Sequence, residues 1–210
     1  MAPLPQDFYL GDTVEIARAL LGKVLVRELN GQLLALRITE TEAYVGRMDK
    51  ACHAYGYRKS QRNAVMFGPP GRAYLYLIYG MHCCLNLVTE PEGEPSAVLI
   101  RAGEALLGVE TMAQLRFGRP PEDFTPYQRK NFLNGPGKLC QALALTRAEN
   151  GADLTSGQGL WVSDDGAELG ISLPEQSPLI LATPRIGIDY AQEAVHFPWR
   201  FIYHSKGGAE

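Results

Sequence analysis

An α+β domain on a mainly antiparallel or mixed sheet is what this sequence predicts, on two observations. Apolar runs are joined by tight-turn residues, as in hairpins, with no strand-helix-strand alternation. Separate helical stretches then interrupt the strand-rich ones. With no internal repeat and no clear linker, 210 residues of 46% hydrophobic content suit one compact domain spanning 1–210.

The elements follow in order. Asp12-Thr13-Val14-Glu15 has the form of a capping box, and Ile16, Ala17, Leu20 and Leu21 follow at helical spacing before Gly22 stops the helix. Lys23 to Leu29 and Gln32 to Ile38 flank Asn30-Gly31, the strongest short-range hairpin signal. Arg37 to Tyr44 is the exit of that strand, and it sets Glu40, Glu42 and Tyr44 at every second position, on one face of an extended chain. Two strand rises put the two acids about 7 Å apart at Cα, close enough to repel and to hold one proton longer than either would alone. The pattern suits acid/base chemistry beside a flat ligand, and it equally suits an exposed edge strand.

Gly46 to Pro70 is polar and irregular and reads as a long surface loop, with Arg58, Lys59 and Arg62 clustered. His53 is its one imidazole, by default solvated or locally bonded. Tyr74 to Tyr79 and His82 to Val88 form a second hairpin around Gly80-Met81, whose apolar tip either packs on the domain or meets a partner. Val98 to Arg101 is a strand ending in a charge. Gly108 to Phe117 is a helix with Val109, Met112 and Leu115 inward, followed by a basic connection from Arg119 to Lys130. Asn134 caps a further helix, with Pro136 in its first turn, Leu139 and Leu143 on one face, and Lys138 in a glycine-rich start able to hold an anion. Leu160 to Val162, Leu179 to Thr183 and Trp199 to Tyr203 are the last strands.

The net charge of −3 means that any nucleic-acid surface must be local. No apolar run reaches about 18 residues and no basic, apolar leader is present, which points to the cytosol and away from a membrane. Cys52, Cys83, Cys84 and Cys140 lack paired spacing, so reduced thiols are expected, and a zinc site from Cys52-His53 with His82-Cys83-Cys84 departs from the usual spacings.

Five motifs carry a resemblance. They are Glu40-Thr41-Glu42-Ala43-Tyr44, Ala51-Cys52-His53, Arg62-Asn63 with Met66-Phe67, Tyr76 to Met81, and Asn134 to Leu143. In this order, over about Phe8 to Tyr203, the chain resembles the alkyladenine (3-methyladenine) DNA glycosylase family. The resemblance implies a single domain around a curved antiparallel sheet with a hairpin that enters the DNA minor groove. It implies a monofunctional enzyme of base excision repair that flips alkylated or deaminated purines out of double-stranded DNA and hydrolyses the N-glycosidic bond. Glu42 then resembles the residue that activates water, and Arg101 one that helps hold the water and the flipped nucleotide. Tyr44, His53 and Tyr76 resemble the aromatic walls of the base pocket, Asn86 the amide that discriminates purines, Leu99 an apolar pocket residue and Tyr79 the wedge at the hairpin tip. No cofactor and no metal are implied, the partner is duplex DNA carrying damaged purines, and a bacterial monomer at the nucleoid is expected.

Each role has a physical basis. A flipped base costs a few kcal/mol of stacking, partly offset by an apolar wedge. Alkylated purines are cationic, so aromatic faces attract them. With no lysine in the place of Glu42, hydrolysis without strand cleavage is expected. Gln61, where members commonly have proline, His82, in place of an aromatic residue, and the acidic total depart from the family pattern. Two rival classes are a glycoside hydrolase, whose acids must flank a sugar bond, and a non-catalytic nucleic-acid module. Two geometric expectations also follow. Tyr76 and Asn86 share a face only if the second hairpin has an odd loop or a bulge. A basic stripe from Arg58, Lys59, Arg62, Arg72, Arg116, Arg119, Arg129, Lys130 and Lys138 is expected on the hairpin side.

Overall fold

The computed structural model describes residues 1–78, 80, 82–164 and 179–204. Asn30 and Gly31 both take positive φ, 51° and 78°, and turn the chain between β1 (Val24–Leu29) and β2 (Gln32–Val45). Such a pair matches the twist of the strands it joins. β2 carries the 37–44 exit stretch, as expected, and at 14 residues is the spine of the sheet. Along one edge it pairs with β5 (Ser96–Leu107); along the other it pairs first with β1 and then, from Glu40 to Glu42, with β8 (Arg200–His204). The strand outlasts its apolar run because its second half is buried by satisfied polar residues: Thr41 and Glu42 are fully buried.

The sheet order is β3-β4-β5-β2-β1-β6, with β3 Ala73–Ile78, β4 His82–Thr89 and β6 Leu160–Ser163; β8 adds to β2, and β7 (Leu179–Thr183) adds to β8. Every pairing is antiparallel, giving the open, curled sheet of an α+β fold. Register shifts occur where β2 crosses β5. Ile38 pairs with Gly103 and Glu40 with Ala102, which skips Thr39; Thr41 then pairs with Ile100, which skips Arg101. Each skipped residue re-aims its strand locally. At the end of the sheet, Ile78 pairs with His82, so the second hairpin has a three-residue loop, the odd length that its face pattern requires.

Asp12 caps α1 (Thr13–Ala19), its Oδ1 accepting from the N–H of Val14 at 2.9 Å and of Glu15 at 3.1 Å. The second half of the predicted box is replaced: Glu15 lies 3.9 Å from Arg18. α2 (Val109–Phe117) sits between two left-handed glycines, Gly108 and Gly118. The basic connection contains an unforeseen helix, α3 (Pro126–Lys130), capped by a Thr125/Gln128 box. α4 (Pro136–Ala142) starts from Gly135, one residue later than the sequence suggested, because Asn134 instead accepts from Lys138 Nζ at 2.8 Å. Ile16, Leu20, Met112, Leu139 and Leu143 bury this helical layer against Ile38, Leu85, Ile100 and Phe201 of the sheet.

The stretch from Gly46 to Pro70 is more than a surface loop. Asp49, Cys52, Ala54, Asn63 and Met66 are buried in it. Asn63 ties it together, donating to the carbonyls of His53 and Arg58 at 2.9 Å each and accepting from Ser60 N–H at 2.7 Å. Satisfied inside in this way, its polar residues can be buried, which a count of polar residues does not show.

Candidate active site

Residues directly opposite one another in a sheet share a face, and one row of this sheet runs from the floor of a cavity to the residues buried beside it. Tyr74 pairs with Asn86, Asn86 with Leu99, Leu99 with Glu42 and Glu42 with Arg200, across five strands. Neighbouring rows on the same face add Tyr76 opposite Cys84, and Tyr44 opposite Ala97. The cavity holds about 310 Å³ and is lined by Tyr44, His53, Tyr76, Asn86, Leu99 and Arg101 among others. Its size falls at the small end of small-molecule sites.

Three rings form the wall. His53 meets Tyr76 edge-on with centroids 4.5 Å apart, Tyr74 lies 5.4 Å from Tyr76, and His53 Nδ1 is 2.9 Å from Tyr74 Oη. The local bond proposed for His53 is therefore to a tyrosine, while the outer side of its ring stays open to solvent. Packing of its inner side and the nearby Arg62 guanidinium lower its pKa to about 4, leaving the ring neutral at neutral pH. Burial, reinforced by Glu42, raises the Tyr44 phenol well above its usual range; burial raises Tyr76 too and pushes Tyr74 up to about 12. All three phenols stay protonated, and none competes with a carboxylate as the local anion. Asn86 donates its amide to the Tyr74 carbonyl at 3.2 Å, which orients it in the floor.

Glu42 does not line the cavity. It is fully buried beside the cavity and held by three donors from residues that do line it: Tyr44 Oη at 2.7 Å and an Arg101 guanidinium nitrogen at 3.1 Å on Oε2, and the Ile186 N–H at 2.8 Å on Oε1. Glu40 accepts from Arg101 Nε at 2.8 Å and Arg200 Nε at 2.6 Å. The expectation of two mutually repelling acids is corrected here, because Arg101, at the bulge, sits as a cation between them. An exposed edge strand is excluded as well, since β2 is central.

Tyr79 lies outside the described residues. Of the proposed basic stripe, Arg72 is paired with Asp153 at 3.3 Å, and Arg116 is spent on the carbonyls of Asn131 and Phe132 and on the Gln141 side chain. Arg58, Lys59, Arg62, Arg119, Arg129 and Lys130 are exposed. Among the described residues no group of three or more His, Cys, Asp and Glu is placed to hold a metal ion. Cys52, Cys83, Cys84 and Cys140 are free and buried.

Sequence reasoning missed the other side of the cavity, where Ile186, Gly187, Ile188 and Tyr190 form a lip. It also missed the pair beneath that lip: Arg185 and Asp49 are both buried and form a two-armed ion pair. The available signal was an arginine placed directly before an Ile-Gly-Ile run.

Residues 7–207 match the family model of methylpurine-DNA glycosylases. The chain is 53% identical over 203 residues to a Methanocella arvoryzae protein provisionally named a 3-methyladenine DNA glycosylase, covering 96% of this chain and 92% of that one. Proteins of Alkaliphilus oremlandii and Bacillus cereus with the same provisional name are 48% identical over 198 residues and 49% identical over 204. They cover 94% of each chain in the first case, and 95% of this chain and 94% of the other in the second. A family match over nearly the whole length, with relatives near half identical from end to end, shows that the chain belongs to the methylpurine-DNA glycosylase family.

Proposed function

We propose that this chain is a 3-methyladenine DNA glycosylase that takes alkylated or deaminated purines out of duplex DNA into the cavity above β2, β5, β4 and β3 and hydrolyses their N-glycosidic bond. The observation that carries the reading is a fully buried, triply hydrogen-bonded carboxylate, Glu42, bonded to Tyr44 and Arg101 in the lining of an aromatic cavity. A cationic base is attracted by the faces of Tyr44 and Tyr76, and neutral His53 adds no repelling charge. The glycosidic bond of such a base is already weak and breaks through a sugar cation. The carboxylate then has two tasks, to stabilise that cation and to take a proton from water. An ionised carboxylate has roughly four acceptor sites, and with three engaged about one remains for the water.

Arg101 holds both Glu42 and Glu40 in place, and no amine stands where a Schiff base would form, so the product is an abasic site with an intact strand. Asn86 at the floor reads the exocyclic edge of the base, Leu99 packs beside it, and Tyr79, in the three-residue loop between Ile78 and His82, fills the vacated stack. The enzyme acts as a monomer on double-stranded DNA in the cytoplasm, at the nucleoid of a bacterial cell, with no cofactor. No helix among the described residues is long and apolar enough to cross a membrane.

Incubation with methylated duplex DNA tests the reading: free 3-methyladenine or 7-methylguanine should appear without strand cleavage. Duplex binding with no released purine would instead indicate a non-catalytic module.

A further inference from the structure

The lip that faces the cavity is open on both sides of Ile188, which is buried against Ala51, Ala191 and Ala194, and it has an unusual duty. Ile186 is 50% exposed and Tyr190 68% exposed, and Gly187 takes a left-handed φ of 75°. Yet the N–H of Ile186 is one of the three donors that, among the described residues, hold the fully buried Glu42. A hydrogen bond from an exposed segment to a buried carboxylate needs an anchor on the segment itself.

Arg185 is that anchor. Its two terminal nitrogens reach both Asp49 oxygens, the Ala43 carbonyl at 2.7 Å and the Ala194 carbonyl at 3.4 Å; only Nε lacks a partner. The guanidinium lies 4.7 Å from the centre of the Tyr44 ring and 5.2 Å from that of Trp199. One side chain thus supports the back of a cavity wall, ties the lip to β2 at Ala43 and delivers the next residue's N–H to Glu42. Asp49, fully buried and accepting from the Ala51 N–H at 3.0 Å, fixes where that guanidinium sits.

We infer that Asp49 and Arg185 are positioning residues of the reaction: their buried pair clamps the lip so that Ile186 N–H holds Glu42 in its working orientation. The inference rests on the reading of Glu42 as the group that activates water. Loss of one hydrogen bond to a charged group corresponds to about 10- to 100-fold in rate. The charged and titratable groups facing Glu42 are Tyr44 and Glu40 on β2, Arg101 on β5, Cys84 on β4, Tyr76 on β3, Arg200 on β8 and Arg185 itself, whose charge Asp49 answers. The test below removes the Asp49–Arg185 pair together and leaves the rest in place.

The test replaces both partners, Asp49→Leu with Arg185→Met, since removing a buried pair together leaves no orphaned charge and usually preserves folding. Single-turnover excision from lesion duplex is measured beside lesion binding, with Glu42→Gln as the companion. Expected are an excision rate lower by about 10- to 100-fold and binding within about threefold of the parent. A folded double variant with parental rate overturns the inference, as does a loss confined to binding. An active Glu42→Gln would sink the underlying reading instead. Hydrogen exchange on the unmodified protein decides the matter if the variant fails to fold. The Ile186 amide should be protected as well as amides of central β2, and free exchange there overturns the clamp.

Discussion

At the scale of single residues, the site separates a group that does chemistry from groups that place it. Glu42 and Glu40 differ by one strand repeat, but only Glu42 is fully buried with a phenol and a backbone N–H on it; Glu40 faces two arginines. Glu42→Gln keeps the shape and removes the charge, so lesion binding should persist while single-turnover excision of hypoxanthine, a neutral base that leaves poorly unaided, falls at least about 100-fold. Glu40→Gln should matter less, loosening Arg101 rather than removing the base; the reverse ranking of the two variants would move the assignment to Glu40. His53 supplies a second prediction. Its folded pKa lies below the ordinary imidazole value of 6.5, near 4, so the unfolded chain takes up a proton first as pH falls. Stability gained from the neutral ring is therefore present above about 6.5 and lost between that value and about 4. An NMR titration should place the His53 midpoint clearly below 6.5; an ordinary midpoint would mean that the ring is cationic in mild acid and repels a cationic base.

At the scale of elements, the hairpin and the central strand were legible because their signals are local. Asn30-Gly31 dictated one turn, and the need for Tyr76 and Asn86 to share a face dictated an odd loop in the other. The loop length is a mechanical requirement. β4 is pinned by β5 through Asn86 opposite Leu99, so deleting Gly80 would force β3 to slip by one residue and turn Tyr74 and Tyr76 to the other face. Excision and lesion binding should then drop about 100-fold or more, as misplaced site groups do, while far-UV circular dichroism stays native-like. Unchanged activity would show that β3 does not set the wall. The Gly46 turn was not legible, because it depends on a partner 49 positions away: a Cβ there would lie far inside the contact distance of the Pro95 carbonyl oxygen. Gly46→Ala should cost about 3 kcal/mol, the upper end of overpacking, and lower the Tm by roughly 10 °C in calorimetry. The lip and the Asp49–Arg185 pair escaped sequence reasoning for the same reason. Each half is an ordinary polar residue until the fold joins positions 136 apart.

At the scale of the whole molecule, an acidic protein has to hold a polyanion, and the arrangement of charge decides how. The total of −3 hides a division of labour among its cations. Arg27, Arg101, Arg185 and Arg200 are committed to internal carboxylates or carbonyls, as is Arg72 to Asp153 at the surface. Arg58, Lys59 and Arg62 remain exposed, Arg62 at the cavity itself; it reaches the Leu77 carbonyl on β3 at 3.4 Å, and its guanidinium carbon lies 5.2 Å from the Tyr76 ring centre. Lys138, held at 2.7 and 2.8 Å by the side chains of Asn131 and Asn134, opens α4 at the other side of the hairpin. Four such cations taking one phosphate each give a log-log salt slope of about −3.6 for duplex affinity, at roughly −0.9 per phosphate. Arg62→Gln should reduce that slope by about one unit and weaken undamaged duplex as well, because a phosphate contact carries no information about the base. Arg72→Gln should leave the slope unchanged, its charge being already answered by Asp153. Fluorescence anisotropy between dilute and physiological salt decides between these outcomes. An affinity indifferent to salt, or an Arg72 variant as impaired as the Arg62 one, would mean that the duplex does not approach past the exposed arginines at the cavity mouth.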